Sequence, residues 1–161
     1  MKNNILLVFK HIVNNEKIKL EKLLNEDKNL IYSKGVNLQM PIHDACYYGN
    51  ESVIDLLLKF DNKILNSEND VKLNGYQILA INYPKLLVKY IKKYKPENIH
   101  HVNSFDRTIL ILYIMNHKKL DEDILKELKN QGCSLLLPEN INHLIFIVDR
   151  TCEDLDLIKK Y

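Results

Sequence analysis

Residues 41 to 49 read PIHDACYYG, in which His43 and Cys46 stand three apart. On a helix that spacing puts an imidazole and a thiol on one face, where they could share a metal ion or pair as base and nucleophile. A zinc site needs three or four such ligands, each steadied by hydrogen-bonded neighbours, and no second cluster has compatible spacing. A nucleophilic Cys46 needs a nearby base and a lowered thiol pKa, whereas a small thiol packed between helices needs neither. Cys133 and Cys152 carry no stronger signal. Three cysteines, widely spaced and without a CxxC pair, argue against a disulfide framework or a zinc knuckle and for reduced thiols in a cytoplasmic setting.

His100 and His101 follow YKPEN in an expected loop, where a solvated pair outweighs a pH-sensing one. Asp121, Glu122 and Asp123 precede ILKELK, and carboxylates there favour the positive end of a helix dipole over paired acid catalysis. No GxGxxG, P-loop, GxSxG, HExxH or kinase-like set occurs. The sequence carries no positive sign of an enzyme and predicts no cofactor and no metal.

The stretch KLLVKYIKKYK places Lys85, Lys89, Lys92, Lys93 and Lys95 around Tyr90 and Tyr94. Cations interleaved with aromatics can hold phosphates and stack bases. An outer helix of a lysine-rich array looks the same, its stems covering apolar surface with the ammonium heads in water. The net charge of +2 is too small to argue for nucleic acid or an anionic membrane. Lysine outnumbers arginine 21 to 2 and there are 19 asparagines, the mark of AT-rich codons, so no single Lys or Asn counts as a functional signal. The apolar run Ile5 to Phe9 is shorter than a signal-peptide core, and no stretch nears the ~20 apolar residues of a membrane span. The expectation is a soluble, cytoplasmic protein of 161 residues, enough for one domain burying roughly 68–70% of its unfolded surface.

The elements that would position these residues are helices. Apolar residues recur at helical spacing in Ile18, Leu20, Leu23, Leu24; in Val53, Ile54, Leu57, Leu58; in Leu86, Leu87, Val88, Ile91; and in Ile124, Leu125, Leu128. SLLLP at 134 to 138 is the one strand-like run. Leu23-Leu24 recurs as Leu57-Leu58, an offset of 34 in the numbering, and Ile91 lies a further 34 beyond Leu57. Leu128 follows after 37, which predicts an insertion of about three residues, and Ile158 closes the series after 30. A period near 34 built from short helices predicts a solenoid of helical pairs. Each unit has a short helix (PIHDACYY), a tight turn at Gly49-Asn50 and a longer helix (ESVIDLLLKF). Pro41 suits a first helical turn, Gly49 a left-handed helix end, and Ala45 a close approach of helices.

MPIHDACYYGNESVIDLLLKF resembles the ankyrin repeat, with Met40 in the threonine slot and Pro41, Ile42, His43, Ala45, Gly49, Ile54, Leu57 and Leu58 in matching places. The other units match mainly by register: Phe9 and His11 stand in the His and Ala slots of the first, and Asn103 and Thr108 fit the fourth. The third, NGYQILAINYPKLLVKYI, reads as about three residues short between its helices. NQGCS looks like the loop that follows the second helix of a unit. The resemblance implies an all-α, ankyrin-like solenoid of about four to five helix-turn-helix units, with approximate spans 3–34, 35–70, 71–102, 103–136 and 137–161. It implies a His43 hydrogen-bonded to neighbouring backbone, tying units together. Tetratricopeptide and HEAT arrays do not explain the Pro-x-His and Gly spacing.

By the same resemblance, partners bind at loop tips and at the residues before the inter-helix glycine. On this chain those are Tyr47 and Tyr48; Asn37 and Gln39; Asn74 and Tyr76; and Phe105 and Arg107. Tyr, Phe and Arg also suit interface anchors because they offer large contact area with few torsions to freeze. The expected function is therefore non-enzymatic binding of another protein through the concave face. Diverged units in an AT-biased chain fit a viral or bacterial factor acting on host proteins. The alternatives are a nucleic-acid-binding module using the Lys85–Lys95 face, or a regulatory fragment of a larger protein.

Overall fold

The computed structural model describes residues 2–134, together with Leu157. The expected fifth unit, with Cys152 and nearly all of SLLLP, lies outside the described residues apart from Leu157, which packs against the core. Among the described residues the protein is all-helical, with eight α-helices and no strand. They are α1 (Lys2–Val13), α2 (Lys17–Glu26), α3 (Pro41–Tyr48), α4 (Glu51–Phe60), α5 (Gly75–Asn82), α6 (Pro84–Tyr94), α7 (Ile109–Asn116) and α8 (Glu122–Asn130). None is long and apolar enough to cross a membrane.

The helices are short and stable only because they share a core. In α4, Val53, Ile54, Leu56, Leu57 and Leu58 are buried, with Glu51 in the first turn and Lys59 in the last to complement the dipole. In α6 the same register buries Leu87, Tyr90 and Ile91, one period on from Val53, Leu56 and Leu57. Packing follows chain order: α1 lies on α3, α3 on α5 and α5 on α7, while α2 meets α4 and α6 meets α8. One apolar core runs continuously through all four hairpins.

The loops repeat at the same interval. Backbone N–H groups of Gly35, Asn69 and Asn103 donate to the carbonyls of Gln39, Leu73 and Arg107 at 2.8, 3.0 and 3.2 Å. Each loop reverses through a left-handed residue in the same slot: Leu38 (φ 53°), Lys72 (φ 56°) and Asp106 (φ 56°). That conformation costs a non-glycine residue roughly 1–2 kcal/mol. Local bonds offset it: the Asn69 carboxamide oxygen accepts from Val71 and Leu73 N–H at 3.1 and 2.9 Å, and Asn103 does the same for Phe105 and Arg107 at 2.9 and 3.1 Å. Successive loops are joined through main chain, Asp70 N–H to Asn37 O (3.2 Å) and Ser104 N–H to Val71 O (3.0 Å).

The third hairpin is not about three residues short. Tyr83 alone closes α5 and opens α6, where Gly49 and Asn50 divide those tasks between α3 and α4, and Pro84 pre-sets the first turn of α6. The difference is a single position, absorbed by a longer α6. The insertion expected in the fourth hairpin is present: α7 closes at its C-cap His117, and the N-cap of α8 comes only at Asp121.

Candidate functional site

The PIHDACYYG stretch forms α3. Pro41 occupies its first turn, Gly49 ends it at φ 65°, and Ala45 and Cys46 are fully buried. His43 is also fully buried and links backbone to backbone. Its Nδ1 accepts from Met40 N–H at 2.9 Å, which places the proton on Nε2, and Nε2–H donates to Ser67 O at 2.7 Å. Burial holds its pKa below the ordinary histidine value, so the ring is neutral. Gln77 does the same work in the next hairpin, at the matching position of α5. Its Oε1 accepts from Asn74 N–H at 3.3 Å, and its Nε2 donates to the His101 and Arg107 carbonyls at 3.1 and 3.0 Å. In the fourth hairpin Thr108 caps α7 and donates to Ser134 O at 3.3 Å. A His, a Gln and a Thr thus tie α3, α5 and α7 to the loop that follows the partner helix of each.

With both ring nitrogens engaged, His43 is not a base for Cys46. Burial pushes the Cys46 thiol up, out of thiolate range, and pushes Cys133 up to about 12. Among the described residues no three His, Cys, Asp or Glu side chains converge as metal ligands do. Asp121 caps α8, accepting from Asp123 and Ile124 N–H at 3.0 and 3.3 Å. His101 is half-buried, with Nε2 on Lys72 O at 2.8 Å and Nδ1 3.6 Å from Glu68.

The expected partner-binding residues divide into two groups. Tyr47 and Tyr48 are 60% and 43% exposed at the end of α3, their rings edge-to-face at 5.3 Å. Phe105 is 60% exposed at a loop tip, with the Arg107 guanidinium 5.4 Å from its ring centre. The Asn37 side chain is exposed, and its carbonyl serves the loop-to-loop bond. Gln39 is half-buried, its side-chain oxygen enclosed without a hydrogen-bond partner among the described residues. Asn74 and Tyr76 face inward instead. Asn74 is spent on capping α5, accepting from Gln77 N–H at 3.0 Å. Tyr76 is fully buried, with burial pushing its hydroxyl up to about 12. The pattern that names these two counts back from Gln77, and the α5 cap occupies that slot.

Val36 and Leu38 are absent from the expected set, yet they project from the first loop tip at 82% and 47% exposure. Their signal in the sequence is an apolar pair inside GVNLQ, a loop with no helical partner for it. Leu6 and Ile18, at 69% and 83%, are further exposed apolar residues of the first hairpin.

The Lys85–Lys95 helix is less open than its sequence suggests. Tyr90 is fully buried, its hydroxyl 3.1 Å from Asp55 Oδ1 and 3.3 Å from Glu51 O. Lys89 pairs with Glu51 and lies 3.8 Å from Asp55, while Lys92 lies 2.9 Å from Glu127 of α8. Lys93 sits over the Tyr94 ring at 4.9 Å. Lys89 and Lys92 thus join α6 to its neighbouring helices, while Lys93 stays on its own helix. No protein-family profile matches the chain, and no curated protein matches it in sequence.

Proposed function

We propose that this chain is a non-enzymatic, ankyrin-like module that binds another protein through its loop tips and the exposed side of its first helices. The observation that carries the reading is the repeated loop. The same backbone bond and the same left-handed residue recur in three successive loops, and the helix-to-loop link of His43 recurs at Gln77. Val36, Leu38 and Phe105 thereby point outward from tips held rigid from within. Rigid loops carrying apolar and aromatic side chains lose little entropy on binding. Tyr47 and Tyr48 add an aromatic pair on the adjoining helix end, a residue type enriched at binding hot spots. The resemblance of residues 40 to 60 to an ankyrin repeat supports a concave face built from α1, α3, α5 and α7. The ion pairs of Lys89 and Lys92 count against a nucleic-acid reading of that helix.

The test is affinity capture from a cell lysate with the wild type and the Tyr47→Ala/Tyr48→Ala double variant, with circular dichroism showing equal helicity. Loss of one or more captured proteins with the variant is expected. An identical captured set overturns the assignment of this face.

A further inference from the structure

We infer that the α6–α8 groove beside Tyr83 is a docking pocket for an apolar side chain flanked by carboxylates on a partner polypeptide; the inference rests on the protein-binding reading and names the chemistry of that partner. The groove exists because the fourth hairpin breaks the repeat. Between the second and third hairpins the Tyr83 ring fills the corresponding space: a Cβ built on Gly49 would lie 2.5 Å from its Cζ. Between the third and fourth, no described residue fills it in the same way. His117, the next residue in that slot, folds inward, its Nε2–H donating to Ala80 O at 3.1 Å and its ring 5.0 Å from that of Tyr113. The longer connection then carries the start of α8 away.

What remains is an open cavity of about 390 Å³, toward the small end of the roughly 300–1,000 Å³ range of ligand clefts. Its walls include Tyr83, Pro84, Leu86, Tyr113 and Ile124. Lys85 and Lys119 stand on its rim, both exposed. On the same helix Lys89 and Lys92 are taken by carboxylates of neighbouring helices, whereas Lys85 has no ion pair among the described residues, nor does Lys119. The one carboxylate lining the pocket, Asp121, turns Oδ1 to the first N–H groups of α8. An apolar hollow between two unpaired cations is complementary to a leucine-sized side chain with acidic neighbours, and a basic or wholly polar segment gains nothing there.

The test uses three fluorescein-labelled peptides: Gly-Glu-Asp-Leu-Glu-Asp-Gly, the same with Leu→Ala, and the same with all four acids replaced by Lys. Anisotropy is measured against wild type, Lys85→Glu/Lys119→Glu, and a charge-matched control, Lys22→Glu/Lys28→Glu, on positions away from the groove. Amide shift mapping by NMR locates the contact and verifies the fold of each variant. The first peptide is expected to bind, weakening at least tenfold on loss of the leucine, on reversal of the peptide charge and in the groove variant, with less than twofold change in the control. Shifts are expected at Tyr83, Leu86 and Ile124. Shifts confined to Tyr47, Tyr48 and Phe105 overturn the groove while leaving the protein-binding reading standing. Equal weakening by both charge variants overturns it as non-specific attraction, and no binding of the first peptide at millimolar concentration overturns it outright, the capture experiment still judging the broader reading.

Discussion

Replacing His43 separates the role of a buried imidazole from that of its charge. His43→Ala removes the acceptor of Met40 N–H and the donor to Ser67 O and leaves a small void in α3. An orphaned buried polar group costs about 1–3 kcal/mol. Met40 is buried while Ser67 is half-buried and reaches some water, so the total works out near ~3 kcal/mol. In a chain of this size that lowers Tm by roughly 6–12 °C. His43→Gln is different, because Gln77 shows that a glutamine in this slot makes both bonds. It is expected to retain stability to within about 1 kcal/mol.

The two proteins part company with pH. Folded His43 has its pKa held below the ordinary value by burial, so the unfolded chain takes up a proton that the folded one refuses. Stability from this residue is complete above about pH 6.5 and is lost as pH falls through the unfolded pKa toward the folded one. The difference between wild type and His43→Gln in urea midpoint, measured from about pH 7.5 to 4.5, cancels the other histidines and should fall steadily on the acid side. A flat difference refutes the neutral-linker argument. So does a His43→Gln variant as unstable as His43→Ala.

Gly49→Ala should cost about 2–4 kcal/mol by urea denaturation, since the residue is left-handed and its Cβ would meet the Tyr83 ring. Adding Tyr83→Ala should return the steric part and not the backbone part. Asn103→Ala, which removes the acceptor for Phe105 and Arg107 N–H, should lower stability by about 1–2 kcal/mol and speed amide exchange at residues 104 to 107. Cys46, fully buried with its thiol pushed up, should react with a disulfide reagent in a Cys152→Ser background only as fast as the protein opens. Labelling that ignores urea would place the thiol at the surface.

Much of the fold is legible in the chain because its helices carry periodic leucines and its turns carry Pro41 and Gly49, residues whose backbone preferences are local. The equal steps from Leu20 to Ile54 and from Leu57 to Ile91, and the longer step to Leu128, show the same register as the buried faces. The loop bonds are hidden in the sequence because they run through main chain, so Gly35 shares a role with Asn69 and Asn103 without sharing their side chain. Gln77 is hidden as the counterpart of His43 because imidazole and carboxamide look unlike in sequence, yet each offers an accepting atom on one side and a donating atom on the other. Tyr76 stands among the candidate contacts by its place just before Gln77, and Tyr90 by its place among the lysines of KLLVKYIKKYK. Their burial follows from which side of α5 and α6 meets a neighbouring hairpin, and a tyrosine in a stripe of leucines carries no mark of that.

The backbone bonds between Asn37 and Asp70 and between Val71 and Ser104 make the joint indifferent to the residues on either side of it. A duplicate of residues 69 to 102, spliced in after 102, would meet the same donors and acceptors at both seams. Duplication of a whole module therefore preserves the main-chain joint between loops, while the side chains at the tips vary independently of it.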